Sequence, residues 1–405
     1  MKILHISDLH VGKRLYHVDM LEDQLAFFSW LVKLVKKESV NGLLISGDIF
    51  NVANPSSESR KIYYEVLVKL SRLDCKVIIT GGNHDSPSVL EAPGELLKAI
   101  NVHVIGSLPG DLNDVIVEIP DQSGKTTLIV AAIPFLRDRD LIKIIENETY
   151  EDRLEAIKKG IARVYDEVAR LCESRYPGIP GIAMGHLFML NALMSDSERD
   201  IHIGNLAGID GSTLPEYFNY YALGHLHKPQ DIDKAGRIRY SGTPYPLSFS
   251  EKDNNNRVVL LTLNDGKISS ESIVVPSNRK LIKYSGTLEE VRTMLNLFKG
   301  NNQGLTTLIE IEVIEENYDP GLLSELEMLP ETFTAENAII IKSRIQFKNK
   351  TGGTHELYSI EKQIEDLEPK EVFLKRLETE SLSEESKDLL IEAFNEIYEL
   401  IYEQE

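Results

Sequence analysis

The feature that most constrains this chain is a series of short, continuously apolar runs, each followed by a motif of Asp, Asn, His and Gly. KILHIS (Lys2 to Ser7) leads into Asp8-Leu9-His10, GLLIS (Gly42 to Ser46) into Gly47-Asp48, and KVIIT (Lys76 to Thr80) into Gly82-Asn83-His84-Asp85. Farther on, Gly181 to Met184 precedes Gly185-His186, and Tyr220 to Leu223 precedes Gly224-His225-Leu226-His227. Runs this apolar, without polar alternation, fit strands buried on both faces. Between them the sequence predicts helices at about Asp19 to Lys37, Ser57 to Leu70, Ser88 to Ile100 and Tyr150 to Arg175, the last ending before Pro177. Further strands are expected at Val115 to Ile119, Thr127 to Ile133 and Val258 to Leu263. The alternation predicts an α/β fold whose sheet is covered on both faces.

With 405 residues the chain exceeds one ordinary core. The pattern changes near Pro276, and Val275 to Arg279 reads as a linker. Residues 1–278 then form the first domain. A small α+β cap is expected over 279–350, with strands at Leu281 to Tyr284, Thr306 to Val313 and Ala338 to Gln346, and helices at Leu288 to Phe298 and Pro320 to Glu327. Residues 351–405 read as an acidic helical tail. Ser381-Leu-Ser-Glu384 has the form of a capping box, and Leu390, Phe394, Ile397, Tyr398 and Ile401 share one face of the helix behind it. That face either packs on its own chain or docks on another.

The formal net charge is -20, which argues against a basic surface that coats DNA. It does not exclude a nuclease, because bound metal ions change local charge without entering the composition. The two cysteines, Cys75 and Cys172, stand in no metal-type spacing, so a reducing, cytoplasmic setting is expected. MKILHISDLH opens without the apolar core of a signal peptide, and no stretch of about 18 apolar residues predicts a membrane span.

In an open α/β sheet the loops beyond the strands' carboxyl ends converge on one crevice, so motifs far apart in sequence can share a site. Mixed carboxylate, imidazole and amide-oxygen donors suit Mn²⁺, Fe²⁺ or Zn²⁺ better than Ca²⁺. Asp-x-His and His-x-His each put two donors on the same side of an extended segment. The glycines before these residues let the backbone turn close to an ion.

The ordered series Asp-x-His, Gly-Asp, Gly-Asn-His-Asp, Gly-His and Gly-His-x-His resembles the calcineurin-like metallophosphoesterases. SDLHVGKRL (Ser7 to Leu15), GGNHDSP (Gly81 to Pro87), LGHLHKPQ (Leu223 to Gln230), YSGTPYPLSFSE (Tyr240 to Glu251) and the stretch Ser195 to Arg199 bring the resemblance closer to one branch. It is similar, over about Met1 to Pro276, to the bacterial nuclease subunits that work with an SbcC-type coiled-coil ATPase. This resemblance implies a two-sheet αββα sandwich carrying two divalent metal ions, Mn²⁺. One ion would be held by Asp8, His10, Asp48 and His227, the other by Asp48, Asn83, His186 and His225, with Asp48 bridging. Such pairs clamp the attacking and leaving oxygens of an in-line displacement. His84 is implied as a catalytic group outside the metal shell, beside the phosphate. Asp85 either orients His84 or is the turn residue before Ser86-Pro87.

The resemblance also implies partners: the ATPase, docked on the tail around Leu390 to Ile401; DNA ends and hairpins, contacted by the cap; and a second copy of the chain. For the dimer, the helices at Ser57 to Leu70 and Ser88 to Ile100 are candidates, through Tyr63, Tyr64, Leu67, Leu96 and Leu97. Lys13, Arg14, Arg137, Arg139, Arg199 and Lys228 are either guides for a nucleic-acid backbone or ordinary surface charge. His5, His17, His103 and His202 read as packing, surface or supporting residues. Two alternatives share the motifs: a metallophosphatase or small cyclic-nucleotide phosphodiesterase, and a DNA-end scaffold with a vestigial metal site.

Overall fold

The structure is a computed structural model. It describes residues 1–141, 150–195, 197–199, 201, 208–300 and 304–349, together with Phe373, Leu377, Leu390, Ile391 and Phe394. Among the described residues the first domain is built on two six-stranded sheets. In the first, four parallel strands, β1 (Lys2–Ile6), β4 (Gly42–Ser46), β5 (Lys76–Thr80) and β6 (Val102–Ile105), are extended by the antiparallel β13 (Arg257–Asn264) and β14 (Lys267–Val274), in the order β14-β13-β1-β4-β5-β6. The second contains β7 (Ile116–Pro120), β8 (Thr126–Ala132), β9 (Gly181–His186), β10 (Phe218–Gly224), β11 (Gln230–Asp231) and β12 (Ile238–Tyr240), in the order β11-β12-β10-β9-β8-β7. Its four central strands are parallel. A two-residue-per-strand hairpin, β2 (Arg14–Leu15) and β3 (Val18–Asp19), follows β1.

The side-chain alternation of the first sheet explains the layering. Ile3, Leu44 and Ile78 share a core with Ile129, Ile182 and Tyr221 of the second sheet, and with Ile161, Tyr165 and Val168 of α6 (Tyr150–Arg175). Leu4, Leu43 and Val77 point the other way, onto Phe27 and Leu31 of α1 (Leu21–Glu38) and Val66 and Leu67 of α2 (Ser57–Ser71). Every residue of β4 is thus buried, as its unbroken apolar run requires. Each such aliphatic side chain contributes about 1.5–3 kcal/mol of transfer free energy. The result is the αββα sandwich.

Local readings differ from expectation in several places, and the short strands β6, β11 and β12 had no expected counterpart. The helix expected over Ser88 to Ile100 is two short pieces, α3 (Pro87–Glu91) and α4 (Gly94–Ala99). Pro93 lies between them, and a proline inside a helix removes a hydrogen bond and clashes with the preceding turn. β14 went unread because KISSESIV is polar: it is an edge strand paired on one side only, to β13. In the expected dimer helices, Tyr63, Leu67 and Leu97 are core residues, exposed by 3%, 1% and 4%, and so are unavailable for contact. Leu96, by contrast, is 76% exposed.

Beyond the linker, β15 (Arg279–Gly286), β16 (Leu305–Glu315) and β17 (Ala338–Phe347) form a three-stranded sheet in the order β15-β16-β17, with α7 (Leu288–Leu297) and α8 (Pro320–Thr332) between the strands in sequence. By its contacts the chain divides into a unit of Met1–Tyr284, Leu297–Ile311 and Thr332–Lys342, and a second that holds Ser285–Asn296, Glu312–Glu331 and the residues from Ser343 on. In the second, the Phe373 and Phe394 rings stack with centroids 4.1 Å apart. The expected capping box at Ser381 and the apolar positions Ile397, Tyr398 and Ile401 lie outside the described residues. Among the described residues no helix is long and apolar enough to cross a membrane.

Candidate metal centre

The parallel strands of both sheets end on the same side, and each hands the chain to a tight turn. Asp8, His10, Asp48 and His225 sit at φ of 54°, 43°, 49° and 104°. Such conformations cost non-glycine residues on the order of 1–3 kcal/mol each and persist only where the surroundings impose them. Here the turns after β1 and β4 are tied together: the Asp8 amide donates to Gly47 O at 3.1 Å, and the His10 amide to Asp48 O at 3.0 Å. The sheets approach closely at Gly224, where a Cβ would fall 1.8 Å from Ser46 O. A Cβ on Gly82 would fall 2.1 Å from Asp48 Oδ1. Only glycine permits these approaches.

The structure brings all seven expected ligands to one place. Asp8, His10, Asp48, His186, His225 and His227 are each no more than 2% exposed, and Asn83 is half-buried beside them. Asp48 Oδ2 lies 3.4 Å from His186 Nε2, 3.6 Å from His10 Nε2 and 3.9 Å from His84 Nε2. Ligand atoms of Asp8, His10 and His227 lie within 4.8 Å of one another, as do those of Asp8, Asp48 and His186. Asn83 Oδ1 is 2.8 Å from His186 Nε2.

The centre's hydrogen bonding fits metal ions. Both ring nitrogens of His10 and Nε2 of His225 are buried and, among the described residues, have no hydrogen-bond partner. Buried polar atoms left so cost about 1–3 kcal/mol each, and a cation offers the missing partner. Burial holds His10 and His225 well below the usual histidine range, so their imidazoles are neutral, the form that ligates. Burial likewise pushes the Asp8 carboxyl up to about 7, so positive charge is needed to keep it ionised. The donors and their geometry fit a pair of metal ions.

Around this cluster the ring orientations are set by fixed acceptors. His186 Nδ1 lies 3.1 Å from Ser46 O. His84 Nδ1 lies 2.9 Å from Asn51 O, and the His84 amide donates to Asp48 Oδ1 at 2.9 Å. Asp85 does not orient His84, as one reading of the sequence had it. Its two oxygens accept from the amides of Ile49, Phe50 and Gly82 at 3.0, 2.9 and 2.9 Å, which pins the Asp48 turn to the Asn83 turn.

Sequence reasoning gave no role to Ser7, Asn51, Ser197, Glu198 and Glu251. Ser7 Oγ donates to Asp8 Oδ2 at 2.5 Å, and Glu251 Oε1 lies 2.9 Å from His227 Nδ1. The signal for Glu251 was an acid closing the largely apolar YSGTPYPLSFSE, a poor place for an unpartnered charge. Of the remaining histidines, His5 is buried between the sheets, 3.0 Å from Tyr220 Oη and 3.2 Å from Leu223 O. His17 is exposed, His103 is half-buried, and His202 lies outside the described residues. Among the expected cations, Arg137 donates to Asp85 O at 3.2 Å and Arg14 to His17 O at 2.8 Å, while Arg139, Arg199 and Lys228 are exposed.

Comparison with known proteins agrees with this geometry. The sequence profile of the calcineurin-like phosphoesterases matches residues 1–229. The chain is 29% identical to the SbcD component of nuclease SbcCD from Escherichia coli (strain K12) over 397 residues, 97% of each protein. It is 36% identical to the SbcD component of the Rhodobacter capsulatus nuclease over 276 residues, 66% of this chain and 67% of that protein. To the corresponding Bacillus subtilis protein it is 29% identical over 324 residues, 78% of this chain and 80% of the relative. The chain belongs to the calcineurin-like phosphoesterases and, within them, to the SbcD family of nuclease subunits.

Proposed function

We propose that this chain is a DNA nuclease subunit that hydrolyses phosphodiesters at DNA ends and hairpins with two Mn²⁺ ions, in complex with an SbcC-type coiled-coil ATPase. The observation that carries this reading is the meeting of donors from five separate segments in one buried cluster, in which Asp48 Oδ2 lies near His10 and His186, Asp8 lies near His10 and His227, and buried imidazole nitrogens have no partner among the described residues. Asp8, His10, Asp48 and His227 would hold one ion, and Asp48, Asn83, His186 and His225 the other. When bound, the pair supplies positive charge for the phosphate and lowers the pKa of an attacking water.

The protein's own groups do the rest. The Asn51 carbonyl can only accept, so it holds His84 with Nδ1 protonated. His84 Nε2 then faces the centre, 3.9 Å from Asp48 Oδ2, where it can stabilise phosphate charge or hand a proton to the leaving oxygen. Asp85 keeps the turns that carry Asp48 and Asn83 in register. Residues 279–350 contact DNA in this reading, residues 351–405 bind the ATPase, and a second copy completes the complex. The net charge of -20 argues against a broad basic DNA-coating surface on the chain alone.

The test is cleavage of a labelled hairpin duplex by the purified chain in Mn²⁺, beside a small chromogenic phosphodiester, with and without SbcC. Wild type, Asp8→Ala and His84→Gln are compared. Metal-dependent DNA cleavage lost in both variants is the expected result. Turnover of the small diester with DNA untouched, even with SbcC present, would overturn the nuclease reading in favour of a small-molecule phosphodiesterase.

A further inference from the structure

We infer that Glu251 is a positioning residue for one half of the metal centre: its buried carboxylate fixes the His227 ring and leaves Nε2 as the ligand atom. The inference rests on the two-metal reading above. Glu251 lies in a short turn of 3-10 helix, Phe249–Glu251, outside the 1–229 span that the family profile matches. It is 0% exposed, and its Oε1 stands 2.9 Å from His227 Nδ1. A carboxylate with no solvent contact needs a compensating donor or charge, and it faces two donors here. Ser197 Oγ lies 2.7 Å from the same Nδ1 and also donates to Glu251 Oε1.

The tautomer follows by exclusion. A carboxylate only accepts, so a bare Nδ1 lone pair 2.9 Å away would repel it. With Nδ1 protonated, the ring and the Ser197 hydroxyl both donate to Glu251, and Nε2 keeps its lone pair for an ion. The backbone of the same residue is held independently: the His227 amide donates to Glu198 Oε1 at 2.8 Å, and Glu198 Oε2 accepts from the Ser195 amide at 2.6 Å. His227 is therefore gripped at both ends, by Glu198 at its amide and by Ser197 and Glu251 at its ring.

This makes the two halves of the centre unlike. The rings of His186 and His84 lean on the neutral carbonyls of Ser46 and Asn51, whereas that of His227 leans on a charge. A carboxylate behind a ligating imidazole raises its basicity and fixes its orientation, and loss of such a partner typically costs about 10–100-fold in metal affinity. Glu251 therefore tightens the ion held by Asp8, His10, Asp48 and His227, and leaves the other to its own ligands. A purely structural role is the competing explanation, because Glu251 Oε2 also accepts from the Leu247 amide at 2.8 Å. Glu251→Gln removes the charge and keeps one acceptor, and comparing the loss at each ion with the change in melting separates the two.

The experiment is a Mn²⁺ titration of the full chain by equilibrium dialysis, with electron paramagnetic resonance on the same samples and thermal melting in EDTA as a fold control. Wild type should bind two ions and give a spin-coupled pair. Glu251→Gln should melt as wild type does, keep one tight ion, lose about 10–100-fold at the other, and show the six-line signal of isolated Mn²⁺ at one equivalent. Should Glu251→Gln fail to fold, Ser197→Ala decides, with a smaller loss at the same single site expected. Two ions bound with wild-type affinity in whichever variant folds, or equal weakening of both, overturns the role given to Glu251 and leaves the two-metal reading standing. A wild-type chain that binds fewer than two ions overturns the two-metal reading itself, and this inference with it.

Discussion

The two sheets contribute unlike chemistry to one site. The first sheet supplies both carboxylates and the amide, through Asp8, Asp48 and Asn83, with His10 and His84 beside them; the second supplies only imidazoles, His186, His225 and His227. Neither side alone makes a cradle: the acids would repel one another, and the buried imidazoles would lack a charge to balance an ion. The site thus depends on how the sheets are registered. Directly beneath it, His5 bonds Tyr220 and Leu223, Ser7 Oγ meets Ser241 Oγ at 2.8 Å, and Ser46 Oγ donates to Ala222 O at 2.8 Å. These are polar contacts in an otherwise apolar layer, where hydrogen bonds are directional and apolar packing is not. They give the interface a fixed register.

The largest expected effect comes from Asp48, the acid proposed to serve both ions. Asp48→Ala should remove both Mn²⁺ equivalents and lower DNA hydrolysis by about 10³-fold or more, equivalent to about 4 kcal/mol of transition-state stabilisation. Retention of either ion in a binding titration would show that Asp48 does not bridge. Next is His84→Gln, which should keep both ions yet lose turnover by about 10²–10⁴-fold, the usual range for a general acid. Loss of both ions in that variant would move His84 into the metal shell.

A smaller effect tests the register. His5→Phe leaves Tyr220 Oη and Leu223 O without their buried partner, and should cost about 1–3 kcal/mol in urea unfolding measured in EDTA. An unchanged midpoint would mean that packing alone aligns the sheets. The smallest effect lies in proton counts. Burial raises the Asp8 carboxyl to about 7, so below that pH an entering ion must displace a proton from the acid side. For His186, burial works against protonation but the neighbouring Asp48 and Asp8 outweigh it and lift the ring to about 9; it releases its proton at pH 6 and pH 8 alike. Mn²⁺ affinity should therefore fall between pH 8 and pH 6, with greater proton release at the lower pH, measured by calorimetry in buffers of different ionisation heat. Equal release at both would place the titrating group elsewhere.

Much of the acid side was legible in the sequence. β4 and β5 occupy Gly42–Ser46 and Lys76–Thr80, the bounds that their apolar runs suggest, and the ligands follow each strand because turns there cluster at one edge. What escaped was tertiary. Asp85 stands next to His84 in sequence, yet its carboxylate reaches back to the amides of Ile49 and Phe50. Tyr63 and Leu67 lie on an apolar helix stripe, and such a stripe looks the same whether it meets a core or a partner. Glu251 closes YSGTPYPLSFSE, a segment that carries the family resemblance, yet the segment assigns it no role, because supporting a ligand from behind demands only a buried acid at the right spot.

The residues that make the centre are scattered from Asp8 to His227, with Glu251 later still. On the ribosome this spread has a consequence. A nascent chain long enough to hold Asp8, Asp48, Asn83 and His186 has the acids but lacks both histidines of the Gly-His-x-His turn, and under the proposed assignment it would leave each ion's shell one donor short. Metal loading would then wait until the turn after β10 has been made and the second sheet has docked on the first.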